Sequence, residues 1–173
     1  MEQHTEERRA LLEYVEQFAA ILTASGMQRM SARVFTYILV DDDDTYTAAE
    51  IAEGLSISLA AVSGAMRELL AAGLVAKGRR ASTRADVYRL HDDDVWGSIM
   101  LDRTDFLDRY QQTAIIGIET LPEGPGRDRL IQTAAFMEFM KAEMANVRDR
   151  WNDRRRELSA AFEARRRDSD ASR

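Results

Sequence analysis

The residues best placed to do chemistry in this chain are cations. Between Ser58 and Leu90 stand Arg67, Lys77, Arg79, Arg80, Arg84 and Arg89, against Glu68 and Asp86 alone. That stretch is +4 in a chain whose formal net charge is −6, which leaves −10 for the rest. Guanidinium and ammonium groups gathered in one place attract a polyanion, whatever the overall charge. The parts of an enzyme are missing. With no cysteine, thiol nucleophiles, disulfides and thiolate metal sites are excluded. His4 and His91 are far apart in sequence, and no Ser-His-Asp set, phosphate-binding glycine loop or zinc motif occurs. Asp41 to Asp44 reads as a solvated turn, because adjacent carboxylates repel one another. No catalysis, cofactor or metal is expected.

The cations need a frame, and the sequence spells one. Thr47-Ala-Ala-Glu50 is a capping box that opens a short helix to about Glu53, with Gly54 expected to end it in the left-handed conformation. Leu55-Ser56-Ile57 makes a brief connection. Ser58 then caps a longer helix from Leu59 to Ala72, with Val62, Met66, Leu69 and Leu70 on its buried side and Gly73 closing it. Leu74 to Lys77 reads as a strand, Gly78 to Arg84 as a basic turn, and Asp86 to Leu90 as a half-buried strand. A capped helix, a tight turn, a second helix and a basic hairpin form a winged helix-turn-helix.

Such a second helix fits the major groove of duplex DNA with its N-terminal end toward the bases. Its first amides and dipole end also attract phosphate. Ser58, Leu59, Ala60, Ala61, Ser63, Gly64 and Arg67 are the candidate contacts there. Ser63 and Arg67 can hydrogen-bond, Leu59 and the alanines can meet thymine methyls, and the small residues let the backbone come close. In the hairpin the candidates are Arg79, Arg80, Thr83 and Arg84. They would follow the phosphate backbone or place an arginine in a narrow minor groove. The reading face is poor in long polar side chains, so shape, water and phosphate contacts should carry much of the recognition.

The stretch Ala48-Glu50-Ile51-Ala52, Leu55-Ser56-Ile57-Ser58, Val62-Ser63, Leu69 and Gly73-Leu74-Val75 resembles the MarR family of bacterial regulators. The segments GMQRMSARVFTYIL, SGAMRELLAAGLV and YRLHDDDVW look most like its GbsR-like branch. The resemblance covers nearly the whole chain and is strongest from Gly26 to Trp96. Where many such wings carry Asp-x-Arg, this chain has Ser82-Thr83-Arg84, which keeps the arginine and loses the aspartate. The resemblance implies a homodimer on a palindromic operator, acting as a repressor and released by a small-molecule effector.

Helices flank the head in sequence. Residues 5 to 24 form one amphipathic helix, ended by Ser25-Gly26, and Met27 to Val40 a second. Beyond the head, Trp96, Ile99, Phe106, Tyr110, Ala114, Ile118 and Leu121 mark a stripe broken by the Pro/Gly run at 121–126. A last helix runs from about Arg127 to Arg165. Leu130, Met137, Met144, Trp151 and Leu158 recur every seven residues on it, which calls for a partner helix from a second copy. Trp96, Phe106, Tyr110, Phe136, Met137 and Met140 could line an effector pocket, or simply pack the core and dimer.

The expected architecture is mainly α with a small β-hairpin wing. Residues 1–25 form a dimerisation helix, 26–92 the winged domain, 93–165 further dimerisation helices and 166–173 a disordered tail. No apolar run reaches the ~20 residues of a membrane helix and no signal-peptide pattern opens the chain, so a cytoplasmic address is expected. Two other readings compete: a winged-helix module that binds protein, and an architectural protein indifferent to DNA sequence.

Overall fold

The computed structural model describes residues 2–80, 85–92, 94–101 and 105–171. They form a mainly helical chain with one antiparallel hairpin: α1 (Glu2–Ala24), α2 (Arg29–Val40), α3 (Ala48–Leu55), α4 (Leu59–Ala71), β1 (Val75–Arg79), β2 (Asp86–Leu90), α5 (Val95–Met100), α6 (Asp105–Thr120) and α7 (Pro125–Ala171). The chain divides into two compact units, Met1–Val95 and Trp96–Arg173. The expected winged fold is present. Among the described residues, no single helix is long and apolar enough to cross a membrane.

In the first unit α2 is the axis. Its sequence reads as amphipathic, yet Ser31, Ala32 and the run from Val34 to Ile38 are all buried. It is enclosed because α1, α3 and α4 each pack on it. Val15 and Ala19 come from α1, Ile51 and Leu55 from α3, Val62, Met66 and Leu69 from α4, and Val75 and Val87 from the hairpin, all buried. Each of the larger of these side chains contributes about 1.5–3 kcal/mol by leaving water. The first helix is thus built into the head rather than standing apart from it. Arg8 makes this explicit, donating to the carbonyls of Glu53 and Gly54 at 3.1 and 3.2 Å. A cation there satisfies the C-terminal carbonyls of α3 and complements its dipole.

Three helices end alike. After α1, the amides of Gly26 and Met27 bond back to Thr23 and Leu22; after α3, those of Ser56 and Ile57 bond to Glu53 and Ala52; after α4, those of Gly73 and Leu74 bond to Leu70 and Leu69. This is the Schellman closure, whose key residue is left-handed. Gly26 and Gly73 have positive φ as expected. The middle one corrects the sequence reading. The helix continues through Gly54 to Leu55, and Ser56 takes the left-handed position with φ 52°. Gly54 serves another need: a Cβ there would lie 2.3 Å from the Tyr37 hydroxyl oxygen. It is glycine so that α3 can approach α2.

In the second unit α6 packs along α7. The buried residues of α6 are Leu107 and Ala114; of the expected stripe, Ala114 is buried and Ile118 half-buried, whereas Phe106 and Tyr110 are exposed and Leu107 is buried in their place. Gly117 meets Leu130, with room for no side chain: an added Cβ would lie 2.6 Å from Leu130 Cδ1. The helix α7 does not stop at Arg165 but continues to Ala171, so helical structure extends into the segment 166–173 where a disordered tail was expected.

Candidate nucleic-acid interface

The candidate interface is built on α4. Val62, Ala65, Met66 and Leu69 are buried, and they consume one side of the helix. The opposite side is left open. Ser58, Leu59, Ala60, Ser63 and Arg67 are exposed, and Ala61 and Gly64 are half-buried. Leu59, a large apolar residue, is 56% exposed at the first position of the helix. The Ser58 oxygen accepts from the Ala61 amide at 3.2 Å. Its hydroxyl proton remains available as a donor. A Cβ at Gly64 would meet nothing within 4 Å, so no contact among the described residues requires glycine there.

Two elements hold α4 in place. The Ser31 hydroxyl of α2 donates to Glu68 Oε2 at 2.5 Å. The α3 helix supports it from the other side, opened by the expected capping box: the Thr47 amide donates to Glu50 at 2.6 Å and the Glu50 amide to the Thr47 hydroxyl at 3.2 Å.

The hairpin pairs Val75 with Leu90 through to Arg79 with Asp86. Tyr46, ahead of α3, adds a third edge by exchanging backbone hydrogen bonds with Tyr88 at 2.8 and 2.7 Å. The Tyr46 hydroxyl accepts from the Asp43 amide at 3.0 Å, and its ring meets Tyr37 edge-on at 5.7 Å. Burial, together with the nearby Asp41, pushes Tyr37 up to about 12 and raises Tyr46 as well. Both phenols stay neutral, as a buried anchor for the hairpin must. The sequence reading missed this anchor. The signal was the β-prone Thr45-Tyr46 step before the Thr47 cap, too short to register as a strand.

The wing cations divide in two. Lys77 pairs with Asp86 at 2.7 Å, which raises the lysine's affinity for its proton. Arg80 pairs with Glu50, Nη1 to Oε1 at 2.9 Å and Nη2 to Oε2 at 3.2 Å. The Arg80 guanidinium, and after it the Thr47 amide, hold the Glu50 carboxyl down at about 2. Arg67 and Arg79 are exposed, and neither forms an ion pair among the described residues. Thr83 and Arg84 lie outside the described residues.

The six aromatic and methionine residues suggested for an effector all fall in the second unit. Trp96, Phe106, Tyr110 and Phe136 are between 39% and 57% exposed, and Met137 and Met140 are half-buried. Phe106 and Tyr110 meet edge-on at 5.9 Å. A single chain therefore leaves these four rings partly open rather than enclosing them. Among the described residues no group of three or more His, Cys, Asp or Glu could hold a metal.

Comparison with known proteins bears on both units. Residues 94–156 match the family of MmpR5-like MarR family transcriptional regulators. The chain is 22% identical over 146 residues to the HTH-type transcriptional regulator MmpR5 of Mycobacterium tuberculosis (strain ATCC 25618 / H37Rv), spanning 83% of this chain and 88% of the relative. A solved structure described as a transcriptional regulator superimposes with a TM-score of 0.67 at 21% identity, covering 83% of this chain and 99% of the other. That likeness shows the fold, while the family match falls on α5 to α7 rather than on the head. By these matches the chain resembles MmpR5-like MarR family transcriptional regulators, over residues 94–156 by the family model and over 146 residues by the relative.

Proposed function

We propose that the chain binds a palindromic DNA operator as a homodimer, with α4 in the major groove and the hairpin along the flanking backbone, and that it represses transcription from the cytoplasm. One observation carries this reading. The face of α4 opposite its buried side is open, and it combines a capped N-terminus, small residues and Arg67. Ser63 and Arg67 reach base edges or phosphates, Leu59, Ala60 and Ala61 meet thymine methyls, and Gly64 lets the backbone close on the groove. Arg79, Thr83 and Arg84 supply phosphate contacts from the wing.

The second unit supports the dimer. Ile116, Ile131, Phe136, Phe139 and Phe162 are about half exposed or more, an apolar surface that a second copy would cover. An effector pocket lined by Trp96, Phe106, Tyr110, Phe136, Met137 and Met140 would then be completed by the dimer. Within the family, the residues from Gly26 to Trp96 support a GbsR-like head joined to MmpR5-like helices.

Binding of labelled duplex DNA, followed by fluorescence anisotropy at several salt concentrations, tests the reading. Arg79→Ala should weaken binding broadly and reduce the salt slope by about 1, whereas Arg67→Ala or Ser63→Ala should change the preferred sequence. Affinity unaffected by any of these substitutions would favour a protein-binding winged helix instead.

A further inference from the structure

We propose that Arg80 is a positioning residue rather than a DNA contact, and that Glu50 and Arg80 form a clasp fixing the wing against the start of α3. The inference rests on the DNA-binding reading and sharpens the part played by the wing. Adjacent arginines here have different fates. Arg79 is exposed and forms no ion pair among the described residues. Arg80 places two guanidinium nitrogens on the two oxygens of one carboxylate, at 2.9 and 3.2 Å. This forked geometry is the kind of surface pair that holds its place.

Both ends of the clasp are fixed by the backbone. Glu50 Oε2 also accepts from the Thr47 amide at 2.6 Å, so the carboxylate is locked to the cap of α3. The Arg80 amide donates to the Ala85 carbonyl at 2.9 Å, which closes the hairpin just below the segment 81–84. The pair therefore ties the N-terminus of α3 to the base of the wing tip. It also neutralises a carboxylate on the DNA-binding unit. An Arg80 that left to meet a phosphate would uncover the Glu50 charge to the DNA, and the exchange would gain little.

The test uses the full chain and a duplex recovered by selection from random DNA. Glutamine at position 50 preserves the capping box, and thermal unfolding checks that each variant folds. Under the clasp, Glu50→Gln and Arg80→Gln weaken binding by similar factors. The double variant is no worse than either single one, and the salt slope stays that of the parent, because no phosphate contact is lost. Arg80→Lys, which keeps the charge but not the fork, weakens binding like Arg80→Gln.

The proposal is overturned if Glu50→Gln binds as tightly as the parent or more tightly while Arg80→Gln flattens the slope by about 1. It is overturned equally if Arg80→Lys binds like the parent, or if neither single variant changes affinity. Amide hydrogen exchange at Arg80 reads the clasp without DNA. Faster exchange in Glu50→Gln is expected, and unchanged exchange contradicts the clasp. A parent that enriches no duplex would sink the DNA reading itself, with the exchange result still reporting on the clasp.

Discussion

At the scale of single residues, two glycines separate structure from function. Gly54 is hemmed in by Tyr37, which is itself buried and packed on Tyr46. Gly54→Ala should destabilise the chain by about 1–3 kcal/mol through overpacking. Gly64 faces open space in the middle of a helix, where glycine costs about 1 kcal/mol relative to alanine. Gly64→Ala should therefore raise the melting temperature by roughly 2–4 °C while weakening DNA binding. Calorimetry and anisotropy on the same two proteins check both signs, and a Gly64→Ala protein that binds as well as the parent would remove Gly64 from the interface. The carboxyl of Glu50 makes a pH prediction. Its folded value is depressed to about 2, below the unfolded reference of about 4.3. Its contribution is thus present above that reference and lost as pH falls toward about 2. An NMR titration should find the Glu50 midpoint well below those of exposed glutamates, and an ordinary midpoint would contradict the pairing with Arg80.

At the scale of elements, what the sequence revealed depends on how local the cause was. The Thr47–Glu50 box, the Ser58 cap and the closures at Gly26 and Gly73 rest on contacts within a few residues, and each was legible in advance. Thr47→Ala should cost about 1 kcal/mol by unfolding calorimetry, the usual loss for a removed cap. Features set by distant partners were not legible. Ser56 rather than Gly54 takes the left-handed position, while Gly54 lies against Tyr37 of α2. Leu107 rather than Phe106 is buried, since a stripe of apolar residues does not say which edge of it is covered. The site followed the same division. The open face of α4 could be read from its period, and the basic hairpin from its composition. The engagement of Arg80 by Glu50, thirty residues away, and the Tyr46–Tyr88 anchor are products of tertiary packing alone.

At the scale of the whole molecule, the charge pattern acquires a finer meaning. Of the six cations between Ser58 and Leu90, Lys77 and Arg80 are already matched by Asp86 and Glu50. That leaves Arg67, Arg79, Arg84 and Arg89, and under the proposed function the attraction for DNA rests on these four rather than on all six. The second unit leaves apolar rings exposed along α6 and α7, and a helix of 47 residues spans about 70 Å at ~1.5 Å per residue. Light scattering after size exclusion should give twice the chain mass at micromolar concentration, and a monomer would contradict the role given to α7. The central claim is that a symmetric pair of these heads reads duplex DNA, and selection of bound duplexes from a random pool tests it most directly. The account predicts an enriched palindrome with half-sites about 10–10.5 base pairs apart, bound less tightly as salt rises from about 50 to about 200 mM. A pool that shows no enriched sequence, or binding that salt does not weaken, would contradict it.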